Sequence, residues 1–173
     1  MTKIEKAARI IYLNKTCYNG LYRVNAKGHF NVPMGKYENP DIIMKDKILR
    51  LSKYLRNNNI KIKCGDFADA VKTSKLGDIV YFDPPYDYEE DGFTSYNSGG
   101  FTKNDLVRLK ECCDELIAKG CEVIVSNNDT SFVNNLFSGE EYTIEHIEAH
   151  RLINCDGKNR RKEKEVIIYG KSK

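Results

Sequence analysis

The sequence has 173 residues, of which 40% are hydrophobic and 31% are charged, and its formal net charge is +3. This length and composition fit one globular domain with a real hydrophobic core, with or without a small helical appendage. Because there is no apolar run of membrane-spanning length and no signal peptide at the first residues, we expect a cytoplasmic protein without a membrane span.

The cysteines and histidines indicate neither disulfides nor a metal site. None of the six cysteines has the paired C-x-x-C spacing of a zinc site or a redox motif, so we expect reduced thiols that pack as small hydrophobic side chains. The three histidines also lack ligand-like spacing, and no bound metal is expected. The cysteines are Cys17, Cys64, Cys112, Cys113, Cys121 and Cys155.

The charge is distributed unevenly along the chain. Residues 1–63 carry 14 basic and four acidic side chains, whereas the remaining 110 residues carry 14 basic and 21 acidic ones. A basic segment beside an acidic one is typical of a protein that meets a polyanion at one end. A solvated lysine-rich face explains the same charges equally well.

Apolar periodicity and turn residues predict the elements of the first third of the chain. Residues 3–14 are predicted to form a helix that begins without a cap, and residues 41–56 a second helix. Between them, residues 15–40 contain Asn-Gly, Lys-Gly and Met-Gly steps and two prolines, which predict turns and a short irregular hairpin.

Strands and helices are expected to alternate in the rest of the chain. The best helix covers residues 102–120, where Thr102 and Asp105 form a capping-box pattern and Gly120 is placed as a C-terminal cap. The pattern predicts an α/β fold with a largely parallel sheet. The predicted strands cover residues 60–64, 78–83, 121–126 and 166–169, residues 141–150 alternate, and shorter helical segments lie near residues 68–75 and 129–137.

The stretch VYFDPPYDYEE combines a buried strand with an unusual turn. Asp83 ends the strand, and ligands of open α/β sheets bind beyond the carboxyl ends of the strands. Pro84 and Pro85 have fixed φ angles and no N–H, so the turn is stiff and rich in hydrogen-bond acceptors. Such a turn suits an NH₂ group, which would donate to Asp83 and to the carbonyl of Pro84, while Tyr86 offers a flat face for a planar ring.

This D-P-P-Y turn resembles the catalytic motif of amino-group DNA methyltransferases that use S-adenosyl-L-methionine. The stretch TCYNGLYRVNAKGHFNVPMGKY (residues 16–37) is similar to the DNA-recognition region of the Dam-type (D12 class) adenine N6-methyltransferases. CGDF, FTSY and SNNDT follow at residues 64–67, 93–96 and 126–130 in that family's order. The resemblance implies a mainly helical DNA-recognition region over residues 1–58 and a partial Rossmann-like methyltransferase sheet over residues 59–173.

The resemblance also implies roles in the reaction. Asp83 and Pro84 would bind N6 of a flipped adenine, Tyr86 would stack on its ring, and Pro85 would stiffen the turn. For the cofactor, Asp66 would contact the adenine of S-adenosyl-L-methionine beside Phe67, with Asp83 at the reacting end. A plain turn or helix-cap acid remains an alternative for Asp66.

The same resemblance implies contacts with double-stranded DNA, with GATC as the expected target. Arg23 would contact a guanine, the commonest specific pairing in the major groove. The other implied contacts are base or wedge positions (Asn19, Leu21, Pro33), an inserting aromatic (Tyr37) and phosphate contacts (Lys36, Lys27, Lys15). The alternatives are that Leu21 belongs to the core, that Asn19 forms a plain turn and that the lysines are solvated. The basic loop KNRRKEK at residues 158–164 is expected either to contact DNA or to be a solvated loop.

The sequence departs from the family in one respect. No glycine-rich loop after a first strand, and no following acid, is recognisable, so cofactor affinity is expected to be weak. The predicted strands 60–64 and 78–83 would lack neighbours, and exposed strand edges favour pairing with another chain. We therefore expect a truncated or partner-requiring form of such an enzyme: a homo-oligomer, a second chain that completes the sheet, or a gene fragment that folds by rearrangement. Two other functions remain as alternatives to DNA adenine methylation. One is a catalytically inactive DNA-binding remnant. The other is an amino-methyltransferase that acts on RNA or protein, and residues 16–37 argue against it.

Overall fold

The computed structural model describes residues 1–88, 101–149 and 163–172. The chain divides into two compact units, Met1–Lys63 and Cys64–Lys173. The first unit contains two α-helices and a 3₁₀ turn, whereas the second is a mixed α/β unit. The elements of the first unit are α1 (Lys3–Thr16), the 3₁₀ turn (Tyr18–Gly20) and α2 (Lys45–Asn57).

A hairpin-like loop joins the two helices of the first unit. Isolated antiparallel bridges pair Cys17 with Met34 and Val24 with Phe30. At the tip, the side-chain oxygen of Asn25 accepts two backbone N–H groups, at 3.0 Å each. The short hairpin predicted from the glycine and proline steps is therefore present. Within this unit only Thr16 and Cys17 are buried, so the unit has a small core of its own.

A four-stranded sheet organises the second unit. Its spatial order is β1-β2-β4-β3; β1 and β2 are parallel, and β4 is antiparallel to both of its neighbours. Three strands therefore run in one direction, and β4 lies among them in the opposite direction. The elements are α3 (Phe67–Val71), β1 (Ile79–Phe82), α4 (Lys103–Ala118), β2 (Glu122–Asn128), α5 (Ser131–Leu136), β3 (Tyr142–Ala149) and β4 (Glu163–Gly170).

The core lies between α4 and one face of this sheet. Side chains at helical spacing on α4 and alternate side chains of the strands are almost fully removed from water, and each such side chain contributes about 1.5–3 kcal/mol. The other face of β1 is bare within the described residues, since Ile79 and Tyr81 are 67% and 58% exposed. The core includes Leu106, Leu109, Cys113 and Leu116 of α4 and Val123, Val125, Val166 and Ile168 of the strands.

Three expectations from the sequence are wrong. Residues 60–64 form no strand; they are exposed, and no described strand pairs with them. The sheet is not largely parallel, because only one of its three strand pairs is parallel. Helix α1 does not begin uncapped: the side chain of Thr2 accepts the N–H of Glu5 at 3.2 Å, and the carboxylate of Glu5 accepts the N–H of Thr2 at 2.7 Å.

The expected caps of α4 are confirmed. Thr102 and Asp105 form a capping box at its start. At its end Gly120 has φ of +79°, and the N–H of Cys121 reaches back to the carbonyl of Leu116 at 3.0 Å. Glycine is favoured there because an L-side chain at positive φ brings Cβ against the backbone.

Replacement of Gly120 by alanine tests this cap. Gly120→Ala should lower the free energy of unfolding by about 1–2 kcal/mol, because alanine must adopt the left-handed conformation. The added Cβ would also meet the side chain of Leu76, which is 80% exposed and can turn away. Urea unfolding followed by circular dichroism measures the effect.

Gly65→Ala is the matched control. Gly65 does not have positive φ, and an added Cβ meets no atom within 4 Å. Its effect should stay within about 0.5 kcal/mol. Equal losses in both variants would contradict a specific requirement for glycine at position 120.

Candidate active site

The turn after β1 presents its acidic side chain outward. Phe82 and Pro84 are buried, whereas Asp83 between them is exposed. This alternation continues the pleat of β1, in which successive side chains point to opposite faces. The two buried residues anchor the backbone on either side of Asp83, and its carboxylate faces the surroundings.

A serine on the neighbouring strand holds this carboxylate. The hydroxyl of Ser126, near the end of β2, donates to Oδ1 of Asp83 at 2.9 Å. The hydroxyl of Tyr81 lies 3.0 Å from Oγ of Ser126. Because an ionised carboxylate can only accept, the single proton of Ser126 goes to Asp83 and Tyr81 donates to Ser126. Within the described ranges, no residue donates to Oδ2 of Asp83.

Tyr86 lies on the same turn and is partly buried. Burial raises the pKa of Tyr86, so its hydroxyl stays protonated in the neutral range.

At the distal end of the turn, a second set of hydrogen bonds holds Asp87. The N–H of Asp87 donates to Oδ1 of Asn127 at 2.8 Å, and the side-chain amide of Asn128 donates to the carbonyl of Asp87 at 2.6 Å. The hydroxyl of Thr130 donates to Oδ2 of Asp87 at 2.7 Å and accepts the N–H of Val133 at 3.2 Å. Thr130 therefore caps α5 and anchors the turn at once.

Asp66 begins α3 and bridges to α4. Its Oδ1 accepts the N–H of Ala68 at 2.9 Å, and its Oδ2 accepts a guanidinium N–H of Arg108 at 2.9 Å. The hydrogen bond from Arg108, followed by the one from Ala68, lowers the pKa of Asp66. A carboxylate has about four acceptor positions, so two bonds leave room for a further donor.

Phe67, the residue that follows Asp66, packs against two other aromatic rings. The ring of Phe67 stands edge-to-face on Phe82 at 6.2 Å between centroids and lies 6.4 Å from Phe101. The guanidinium of Arg108 lies 4.5 Å from the centre of the Phe67 ring. Phe82 directly precedes Asp83, so the Asp66–Phe67 pair is linked to the D-P-P-Y turn through one ring contact. A carboxylate beside apolar rings fits an adenine that carries an amino group.

In the first unit, Arg23 is exposed and held by one neighbour. Its Nε donates to Oδ1 of Asn31 at 2.9 Å, and Nη2 donates to the carbonyl of Asn31 at 3.1 Å. These bonds use two of the five N–H donors of a guanidinium. Three donors are left, and the side chain is oriented before any partner arrives.

The other expected DNA-contacting residues lie in or near the same loop. Asn19 has φ of +52° inside the 3₁₀ turn, and the carbonyl of Pro33 accepts the N–H of Tyr18 at 2.9 Å. Leu21 is partly buried, whereas Lys36 and Tyr37 are exposed. The loop therefore gathers Asn19, Leu21, Arg23 and Pro33 on one short, hydrogen-bonded segment.

Two predicted motifs fall outside the described residues: FTSY at residues 93–96 and most of the basic loop at 158–164. Among the residues that are described, no three His, Cys, Asp or Glu side chains are grouped as metal ligands. The described helices also include none with the length and apolar character needed to cross a bilayer.

Sequence reasoning missed Ser126, Tyr81, Asp87 and Arg108. Ser126 and Asp87 could have been predicted as site residues, because polar residues at the carboxyl ends of neighbouring parallel strands meet at one edge of a sheet. Tyr81 and Arg108 could not, because their contacts depend on how the strand and the helix pack.

The fold and the turn together define a mixed α/β protein with an acidic, proline-stiffened site at the carboxyl end of an edge strand. Residues 1–153 match the family described as D12 class N6 adenine-specific DNA methyltransferase. The chain belongs to this family. The resemblance noted in the sequence is thereby confirmed.

Similar proteins come from bacteria and archaea. The chain is 45% identical to the Type II methyltransferase M1.LlaDCHI of Lactococcus lactis subsp. cremoris over 98% of its own length and 61% of the relative's. It is 41% identical to the Type II methyltransferase M.MjaIII of Methanocaldococcus jannaschii over 92% and 55% of the two chains. It is 35% identical to the Retron Ec67 DNA adenine methylase of Escherichia coli over 96% and 56%. The chain thus spans little more than half the length of these relatives.

The double role of Thr130 predicts a stability effect. Thr130→Val keeps the shape of the side chain but removes the oxygen, so both the cap of α5 and the bond to Asp87 are lost. We expect the free energy of unfolding to fall by about 2 kcal/mol, as for other lost caps. Thr130→Ser keeps the oxygen and serves as the control in urea unfolding. If the serine variant lost as much as the valine variant, the hydroxyl would not be the stabilising group.

The Asp66–Arg108 pair predicts a pH dependence of stability. Because the pKa of Asp66 is lowered from its usual 3.8 in the folded protein, its contribution is present above that value and is lost as pH falls through the lowered pKa. Asp66→Asn keeps a capping oxygen and removes the charge. The difference in unfolding free energy between wild type and Asp66→Asn should therefore be largest near neutral pH and shrink under acid conditions.

Unfolding in urea at a series of pH values, from about 2 to 7, measures this difference. Arg108→Gln provides the second arm, because the bond from Arg108 is the largest cause of the shift. In that background the pH dependence due to Asp66 should be reduced. A pH dependence unaffected by Arg108→Gln would contradict the assigned cause.

Proposed function

We propose that this chain carries the catalytic turn and the DNA-recognition loop of a DNA adenine N6-methyltransferase. The observation that carries the proposal is Asp83, an exposed carboxylate on a two-proline turn with one oxygen fixed by Ser126 at 2.9 Å. Membership in the D12 class supports the adenine N6 position as the target. The names of the similar proteins support DNA methylation, and the Type II names support a role in restriction and modification.

The turn binds a flipped adenine through its amino group. One N–H of N6 donates to Oδ2 of Asp83, the oxygen that Ser126 leaves available, and the other donates to the carbonyl of Pro84. Tyr86 stacks on the ring, as bases that leave the duplex are commonly bound between flat or apolar side chains. Both hydrogen bonds draw the nitrogen lone pair out of conjugation with the ring. Catalysis then rests on positioning and electrostatics, since neutral N6 is almost non-basic.

Asp66 and Phe67 would hold the adenosine end of S-adenosyl-L-methionine, the cofactor that D12 class methyltransferases use in general. The remaining acceptor positions of Asp66 suit the amino group of that adenine, and the ring of Phe67 packs beside it. The cofactor supplies a methyl group on a positively charged sulfur. Held by Asp83 and Pro84, N6 would take that methyl group from the sulfur and would release one proton to solvent.

Double-stranded DNA meets the first unit, whose charge balance is strongly positive. Arg23, oriented by Asn31, donates to a guanine of the proposed target GATC. Asn19, Leu21, Pro33 and Tyr37 contact neighbouring bases or the stack, and Lys36 contacts a phosphate. A DNA substrate agrees with the cytoplasmic location expected from the sequence.

Further polypeptide completes the sheet at β1. This strand is at the end of the order β1-β2-β4-β3, and the exposed Ile79 and Tyr81 lie on its bare face. Unpaired strand edges attract another strand. The proposed source is a second chain or a second copy of this one.

The decisive experiment combines cofactor binding with methyl transfer. S-adenosyl-L-methionine is titrated by calorimetry with and without a GATC duplex, and N6-methyladenine is then measured by mass spectrometry. Asp83→Ala should lower the transfer rate by at least about 100-fold while duplex binding persists, because one acceptor of the amino group is lost. Glu122→Ala, at the opposite end of the sheet, is the matched control and should leave the rate unchanged.

The remaining outcomes separate the alternatives. Salt-sensitive duplex binding without cofactor binding or methyl transfer would favour the DNA-binding remnant. Full transfer by Asp83→Ala would refute the assigned role of the D-P-P-Y turn.

A further inference from the structure

We propose that Ser126 is a positioning residue for the methyl transfer, which it supports by fixing the carboxylate of Asp83 with the help of a hydrogen bond from the hydroxyl of Tyr81. This inference rests on the proposed function. Ser126 would not contact the substrate itself, but it would align Asp83, which does.

The place of Ser126 in the fold is unusual for a hydroxyl. It is 2% exposed and follows Val123, Ile124 and Val125 in β2. A buried hydroxyl without partners is costly, so such groups are normally hydrogen-bonded. Ser126 is bonded to two side chains, that of Tyr81 in β1 and that of Asp83 in the turn that follows it.

The hydrogen bonds make the two carboxylate oxygens of Asp83 unequal. Oδ1 is occupied by the proton of Ser126, and Oδ2 receives no hydrogen bond from the described residues. Because the carboxylate is exposed, little else restrains rotation about its side-chain bonds. The serine therefore selects one rotamer and one acceptor for the amino group of the base.

Tyr81 makes the arrangement stiffer. It donates to Ser126 and so keeps the serine proton directed at Asp83. The carboxylate that binds the amino group is thus held from the neighbouring strand, which favours a single geometry for the flipped base.

The test is a kinetic comparison of four variants in the methyl-transfer assay, with the complete chain and a GATC duplex. Ser126→Ala should lower kcat by about 10- to 100-fold while KM for duplex and for S-adenosyl-L-methionine changes less than about twofold, because alignment rather than binding is lost. Tyr81→Phe, which keeps the ring, should give a smaller loss. Ser126→Thr retains a hydroxyl and should recover most of the rate. Ser138→Ala removes an exposed hydroxyl bonded only to the carbonyl of Asn135 and should leave kcat unchanged.

A second readout does not depend on activity. Crystal structures of wild type and Ser126→Ala should show one rotamer of Asp83 in the former and a rotated or split carboxylate in the latter. An unchanged Asp83 rotamer in Ser126→Ala, or an unchanged kcat, would overturn the positioning role. If wild type transferred no methyl group, the proposed function would fail, and the rotamer comparison would still decide whether Ser126 orients Asp83.

Discussion

The candidate site depends on the hydrogen bonds between the end of β2 and the turn that follows β1. A turn with two consecutive prolines lacks two N–H donors and cannot hold itself together with its own backbone. Side chains from the end of the neighbouring strand and from the cap of α5 perform that task. Ser126 bonds Asp83, and Asp87 is bonded by Asn127 and Asn128 of the strand and by Thr130 of the cap. The carbonyls and the outer carboxylate oxygen are thereby kept available for a ligand.

The parallel pairing of β1 with β2 explains why these groups meet. In the register of the pair, Phe82 lies opposite Val125, so the residues that follow each of them, Asp83 after β1 and Ser126 within β2, lie side by side. The buried valines of β2 fix that register, since a shift by one residue would turn apolar side chains to the other face. Core packing thus determines which hydroxyl reaches the carboxylate.

Local features of the structure were predictable and non-local ones were not. The turn after β1, the capping box at Thr102 and the cap at Gly120 depend on residues within a few positions, and the sequence shows them directly. The capping box Thr2-x-x-Glu5 had the same kind of signal and was overlooked. The antiparallel insertion of β4 and the absence of a strand at 60–64 depend on partners distant in sequence, which apolar alternation cannot identify. The contact of Arg108 with Asp66, 42 residues apart, belongs to the same class.

The stability of the fold and the alignment of Asp83 depend on different residues of one segment, Thr130 and Ser126. Substitutions at these two positions should therefore have different effects. Thr130 bonds Asp87 and caps α5, so its loss weakens the fold and releases the distal end of the turn. Ser126 bonds Asp83 at the proximal end, where the backbone is already anchored by the buried Phe82 and Pro84. Removal of that hydroxyl should leave the path of the turn intact and release the carboxylate of Asp83 and the hydroxyl of Tyr81. Substitutions at Ser126 and at Thr130, four residues further on, should therefore separate folding from catalysis. A change at Ser126 should alter the rate with little effect on unfolding, and a change at Thr130 should mainly alter unfolding.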